Sequence, residues 1–190
     1  MRIVGGSLKG RAIATPSGQT TRPTSDRARE SLFNMLTHAS WAIPLEGARV
    51  LDLFSGSGAL GFEAMSRGAA FALFVETDAA ARGVIRDNIE AFALFGSTRI
   101  HRRDATDLGV KPAGLASPFD LVFLDPPYGK GLGERALGKL QAGGWITPEA
   151  TIVFECAAEE IPATDGFVVH DTRTWGAAKV LFLSPAAQQA

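Results

Sequence analysis

The stretch Leu121-Val122-Phe123-Leu124-Asp125-Pro126-Pro127-Tyr128 settles how this chain folds. Its first four residues are a short apolar run, the pattern of a parallel strand buried on both faces. Asp125 and the two prolines end that run, because proline has no N–H to donate to a ladder. A carboxylate, a rigid pair of prolyl carbonyls and an aromatic ring are therefore expected at the carboxyl end of a central strand, where open α/β sheets bind ligands. Such a corner accepts hydrogen bonds and stacks a flat group, and an amino-bearing nucleobase meets both conditions. Asp-Pro-Pro is by itself also an ordinary turn sequence; a second motif upstream gives it weight.

That motif follows the first apolar run, Ala48–Phe54. Gly56-Ser57-Gly58-Ala59-Leu60-Gly61 matches G-x-G-x-x-G, opens a helix over Ala59–Arg67, and has Glu76 twenty residues after Gly56 at the end of a second strand, Phe71–Glu76. This is also the dinucleotide fingerprint, in which glycines let a ligand approach the backbone and the acid binds ribose hydroxyls. Asp52, four residues before Gly56, would repel a pyrophosphate at that turn and favour a cationic ligand. Asp104 follows a third strand, Arg99–Arg103, where it can accept from an adenine amino group. Acids at four strand ends (Asp52, Glu76, Asp104, Asp125) suit S-adenosylmethionine, with its sulfonium and ammonium, better than a dianionic dinucleotide.

Strand and helix alternate through the chain. Asp78 starts a helix with Ile85, Ile89 and Phe92 on one face; Gly133–Gln141 reads as a helix, Lys111–Ser117 as a loop and Thr151–Cys156 as a fifth strand. Phe167–Thr172 and Lys179–Leu183 form a hairpin turning near Trp175-Gly176, so one strand runs antiparallel. The pattern predicts a doubly wound α/β sheet with helices on both faces. Residues 1–45 are expected to be a basic arm and helix packed on the core, with Thr24 or Ser25 capping the helix and a hairpin joining Arg2–Val4 to Arg11–Ala14. Residues 46–185 form the catalytic domain and 186–190 a tail, with fraying expected from Pro185 onward.

The chain has 190 residues, 46% hydrophobic and 21% charged, which fits one globular domain with a full core. One cysteine, Cys156, excludes a disulfide framework, and three scattered histidines (38, 101 and 170) argue against a metal site. No apolar signal core or membrane-span stretch is present, so the expected location is the cytoplasm. The net charge of −1 divides unevenly: residues 1–30 hold six basic and two acidic residues. A basic end on an acidic body predicts a polyanion contact, with Arg2, Lys9, Arg11, Arg22, Arg27 and Arg29 as phosphate-binding candidates and Lys130 as a further one. On these residues alone a DNA adenine-N6 methyltransferase, an NAD(P)-binding oxidoreductase and a non-catalytic RNA-binding module stay open. The first would have no room here for a separate target-recognition domain.

Leu51–Gly58 followed by Asp125–Tyr128 resembles the class I S-adenosylmethionine-dependent amino-methyltransferases. Arg2-Ile3-Val4-Gly5-Gly6, Lys9-Gly10-Arg11, Arg22-Pro23-Thr24, Arg29–Asn34 and Ser66-Arg67-Gly68-Ala69 resemble the RsmD family within that class. The resemblance implies a Rossmann-like, seven-stranded, mostly parallel sheet with the last strand antiparallel. It implies methylation of a guanine N2 in 16S ribosomal RNA of the small subunit or its assembly intermediate, by a monomer without metal. It also implies residue roles. Asp52, Ser55, Gly56, Ser57 and Gly58 form the cofactor turn, and Glu76 holds the ribose. Asp104 and the backbone of Ala105 read the adenine. Asp125, Pro126, Pro127 and Tyr128 form the catalytic corner.

Overall fold

The computed structural model describes residues 1–18 and 25–187. Seven strands, β1 (Arg49–Leu53), β2 (Phe71–Val75), β3 (Thr98–His101), β4 (Phe119–Leu124), β5 (Ile146–Ala157), β6 (Phe167–Trp175) and β7 (Ala178–Pro185), form one sheet in the order β3-β2-β1-β4-β5-β7-β6. β1 to β5 are mutually parallel, and β7 runs antiparallel between β5 and β6. Among the described residues the α-helices are α1 (Asp26–His38), α2 (Ala59–Ser66), α3 (Ala79–Ala91) and α4 (Leu132–Ala142). The chain builds outward from β1 to β3, then returns to lay β4 on the other side of β1. A crevice is left at the carboxyl ends of β1 and β4, the switch point at which doubly wound sheets hold ligands.

Alternation along each strand splits the core in two. Val50, Phe74, Leu121 and Phe123 meet α1, α2 and α3 on one face, through Phe33, Phe62 and Ile85. Leu51, Leu73, Val122 and Leu124 meet α4 and the buried Trp145 on the other. Cys156 lies on this second side, where burial pushes its thiol up to about 11, as an inert structural thiol requires. Among the described residues, no helix is long and apolar enough to cross a membrane.

The helix start at α1 is set by Ser25, whose Oγ accepts from Ala28 N at 3.1 Å. Its alternative, Thr24, lies outside the described residues. The arm is not a free extended segment. Arg2 and Ala12 form a single bridge, which places Ile3 and Ile13 in the core at 1% and 3% exposure. Asn88 of α3 accepts from Ala14 N at 2.9 Å and donates to Ala14 O at 3.1 Å. Most element boundaries shift by one to three residues, and three departures are larger or change a segment's character. β5 begins at Ile146, because Ile146 pairs with Phe119 ahead of a register shift in β4. The loop after Lys111 contains a 3-10 turn at Ala113–Leu115 that buries Leu115. Pro185 pairs with Phe167 and Ala186 N donates to Gly166 O at 2.9 Å, so fraying does not begin at Pro185.

Candidate active site

The carboxyl ends of β1, β2, β4 and β5 frame a cavity of about 740 Å³, within the usual size of a cofactor pocket. Phe54 and Gly56 line it from β1, Glu76 and Thr77 from β2, Asp104 and Ala105 from the segment after β3, and Asp125 to Tyr128 from β4.

The turn after β1 is tight. Phe54 adopts φ +55 and Gly56 φ +57, the left-handed region that L side chains rarely enter. Strain of this kind on a non-glycine residue persists only where the surroundings fix it, and here it faces a cavity. Ser55 Oγ donates to the carbonyls of Asp52 and Val75, tying the turn to β2. Gly56 N donates to Glu76 Oε1 at 3.1 Å, and a Cβ at Gly56 would meet nothing within 4 Å. Its bare Cα therefore leaves open space for a ligand. Gly58 differs: a Cβ there would stand 2.7 Å from Phe62 and 3.0 Å from Phe74. It serves the packing of α2 on β2 rather than the approach of a ligand. Ser57 contributes its carbonyl, which accepts from Asn88 Nδ2 at 3.2 Å. Of the five residues assigned to the cofactor turn, Gly56 reaches the cavity, and Ser55, Ser57 and Gly58 hold its shape.

Asp52 corrects the charge argument. It is 2% exposed and lies beneath the turn, accepting from Gly61 N at 3.1 Å through Oδ2. Burial pushes its carboxyl well above the usual carboxylate range, with the nearby Glu76 adding to the rise. It does not face a ligand as a bare charge. It satisfies, from inside, an N–H at the start of α2, where a pyrophosphate would seek its donors.

The remaining acids do face the cavity. Glu76 Oε1 and Oε2 accept from Gly56 N and Thr77 N at 3.1 and 3.0 Å, and burial raises its pKa. Asp104 Oδ1 accepts from Thr106 Oγ1 and N at 2.7 and 2.8 Å, bonds that hold its carboxyl below the usual range and therefore charged. Asp125 follows Leu124, and Glu155 follows Phe154, the residue paired with Leu124 across β4 and β5, so Glu155, inside β5, lies beside the carboxyl end of β4. Burial, then Glu155 and then Asp52 push Asp125 well above the usual range. Tyr128 donates to Glu155 Oε1 at 2.6 Å, and burial together with that bond pushes its hydroxyl far up.

A row of carboxyls thus faces the cavity from β3, β2, β4 and β5, with Asp52 of the intervening β1 buried beneath it. Acids so placed favour a cationic ligand over an anionic one, and at Asp52, Glu76 and Asp125 neighbouring acids add to the rise that burial causes. With the open Cα of Gly56 and the ribose-competent Glu76, these residues fit S-adenosylmethionine, whose amino-acid end and sulfur are positive and which carries no phosphate.

A model of the family described as conserved hypothetical protein 95 matches residues 1–184. The chain belongs to that family, the RsmD family. Among the relatives of this RsmD-family chain, Ribosomal RNA small subunit methyltransferase D of Escherichia coli (strain K12) is 38% identical over 160 residues, covering 84% of this chain and 76% of the relative. Putative rRNA methyltransferase YlbH of Bacillus subtilis (strain 168) is 36% identical over 170 residues, 89% of this chain and 90% of the relative. The solved structure of the putative methyltransferase yhhF from Escherichia coli superposes with a TM-score of 0.82 at 35% identity, covering 99% of both chains. The seven-stranded class I methyltransferase architecture expected from the sequence is the observed one.

The basic candidates in this RsmD-family chain separate into two groups. Arg2, Lys9, Arg11 and Arg27 are exposed. Arg11 lies with its guanidinium 5.4 Å from the Phe92 ring centroid, and its Nη2 donates to Ala91 O at 2.6 Å. Arg22 lies outside the described residues. Arg29 is a correction: it is 1% exposed, donates to Glu63 and Asp26 and to the Arg2 carbonyl, and has no access to a phosphate. A second cavity, of about 620 Å³, opens between α1 and the β6–β7 turn. Arg27, Ser25 and Trp175 line it, and it shares Tyr128 and Glu155 with the first cavity. Phe54, Glu155 and Trp175 were absent from the sequence-derived site. Glu155 alone carried a signal, as the single charge in the apolar run Ile152–Cys156.

Proposed function

We propose that this chain transfers a methyl group from S-adenosylmethionine to the exocyclic N2 of a guanine in 16S ribosomal RNA of the small subunit or its assembly intermediate, as a monomer in the cytoplasm. The observation that carries this reading is the Asp125–Tyr128 corner, set at the carboxyl end of β4 on the wall of a cavity that also holds Gly56 and Glu76. The relatives named as ribosomal RNA methyltransferases supply the polymer class.

When bound, S-adenosylmethionine supplies an electrophilic methyl on a positive sulfur. In this reading Glu76 accepts from its ribose hydroxyls, and Asp104 and the backbone of Ala105 take the adenine. Asp125 and the Pro126 carbonyl each accept one N–H of the guanine amine. That amine is a poor nucleophile, because its lone pair is delocalised into the ring. Two acceptors turn the nitrogen toward sp³ and free the lone pair. As nitrogen gains positive charge these bonds strengthen, so they favour the transition state over the ground state. Pro127 stiffens the corner and Tyr128 stacks the base, which must first leave its own stack. Arg2, Lys9, Arg11, Arg22 and Arg27 supply phosphate contacts.

The test incubates the purified chain with tritiated S-adenosylmethionine and small subunits from cells lacking its gene, then maps the modified nucleotide by mass. The expected product is N2-methylguanine at one position of the RNA. No transfer, or transfer to an adenine, overturns the reading.

A further inference from the structure

Asp125 is not the only carboxyl at this corner. Glu155 lies within β5, one residue past the partner of Leu124, beside the point where β4 ends, and the hydrogen bond from Tyr128 to Oε1 fixes the Glu155 side chain. Tyr128 and Glu155 together form the wall between the two cavities. The first cavity holds the glycine turn and Glu76, and so belongs to the cofactor. The second has none of these and is bounded instead by Ser25 and Arg27 at the start of α1 and by Trp175 of the β6–β7 turn. A flat ring, a cation and a hydroxyl around a cleft that ends on the Glu155 carboxyl and the Tyr128 ring, with Asp125 on the far side of that wall, suit a nucleotide arriving from outside.

The edge of the base decides what two neighbouring acceptors select. Guanine presents N1–H and N2–H side by side, both donors. Adenine presents one donor beside one acceptor, and an acceptor facing an acceptor is repelled and left unpaired. A carboxylate has about four lone-pair sites, so the Tyr128 bond leaves Glu155 capacity for a further donor.

We propose that Glu155 is the specificity residue of this enzyme: it accepts the N1–H of a guanine that enters through the cleft between α1 and the β6–β7 turn, while Asp125 accepts at N2. This rests on the guanine-N2 reading above and adds to it the residue that recognises the ring.

The experiment replaces the target guanine with 2-aminopurine in small subunits reconstituted on spliced RNA. 2-Aminopurine keeps the 2-amino group and lacks N1–H. Wild type is expected to favour guanine about tenfold or more in kcat/KM, because a site built around a donor rejects an analogue lacking it. In Glu155→Gln the amide can donate to the bare N1 of 2-aminopurine, so the preference should collapse toward unity. Glu155→Ala should lose more activity on guanine than on 2-aminopurine, so that its ratio also falls toward unity; a ratio kept at the wild-type value overturns the proposal. A wild type indifferent to the replacement overturns the proposal without recourse to any variant. So does a Glu155→Gln enzyme, folded by its melting curve, that keeps the wild-type ratio. Wild type that methylates no guanine at N2 overturns instead the reading on which this one rests. Trp175→Ala should raise KM for the subunit and leave kcat near wild type; an unchanged KM removes the cleft from the proposal.

Discussion

The Arg29 Nε lies 3.3 Å from Oε2 of Glu63, with both side chains at 1% exposure or less. Glu63 also accepts from Arg67 Nε at 3.0 Å, Gly5 N at 2.9 Å and Val4 N at 3.0 Å. One buried carboxylate on α2 therefore fastens α1 and the N-terminal arm to the domain. Removing one partner of a buried pair costs up to about 3–5 kcal/mol, a ceiling here because Arg67 still pairs with Glu63. Arg29→Ala should destabilise by that order in urea denaturation, whereas Arg27→Ala should stay within about 0.5 kcal/mol.

RNA binding should show the opposite ranking. Arg27 and Lys9 are exposed, and removing a side chain that neutralises one phosphate lowers the slope of log affinity against log salt by about 0.7–0.9. Arg27→Ala and Lys9→Ala should therefore flatten the salt dependence of subunit binding while melting as wild type does. Deleting residues 1–20 is a poorer test, because it removes Ile3 and Ile13 from the core along with the charges. A salt slope unchanged in both point variants would return those residues to a plain solvated surface.

The Asp52 carboxyl carries a pH signature. Its folded-state pKa is raised by burial first, so its contribution to stability is complete below the unfolded value of about 3.9 and is lost as pH rises through the folded value. Asp52→Asn keeps an oxygen for the Gly61 N–H and removes the ionisation. The variant should melt higher than wild type at pH 8, and the gap should close toward pH 4. A gap that widens on acidification would mean that Asp52 is charged and paired in the native protein.

Much of this was legible because β1, β2 and β4 are apolar runs with an acid in or just past their last residues. Asp52, Glu76 and Asp125 stand out against Leu, Val and Phe neighbours, and the parallel topology then aligns them. What was not legible is relational. Glu155 reads as a stray charge until β5 is known to lie beside β4. Arg29 carried its own warning. It precedes Leu32 and Phe33 by three and four residues, which places it on the buried stripe of α1, and Arg27 is about 200° around the helix from it. Its partner Glu63 sits on another helix, 34 residues away, where no local pattern points. Asp52 was seen as an acid near a glycine turn, but only packing shows that it lies beneath the turn, inside it.

Catalysis is the most exposed consequence of the corner at β4. Asp125→Ala should lower kcat by about 100-fold or more, the loss expected when a preorganised group acting on developing charge is removed. Affinity for S-adenosylhomocysteine, which lacks the sulfonium, should change little. Single-turnover methylation at the wild-type rate would remove Asp125 from the mechanism. The pH profile separates charge from shape. Asp125 acts as an acceptor most strongly when ionised, and burial, Glu155 and Asp52 all oppose that ionisation. The acid limb of kcat/KM should therefore lie above the ordinary carboxylate range. Asp52→Asn withdraws one of the opposing acids without touching the substrate, so the limb should move to lower pH. A limb that stays fixed in Asp52→Asn, or that survives in Asp125→Asn, would assign the titration to another group.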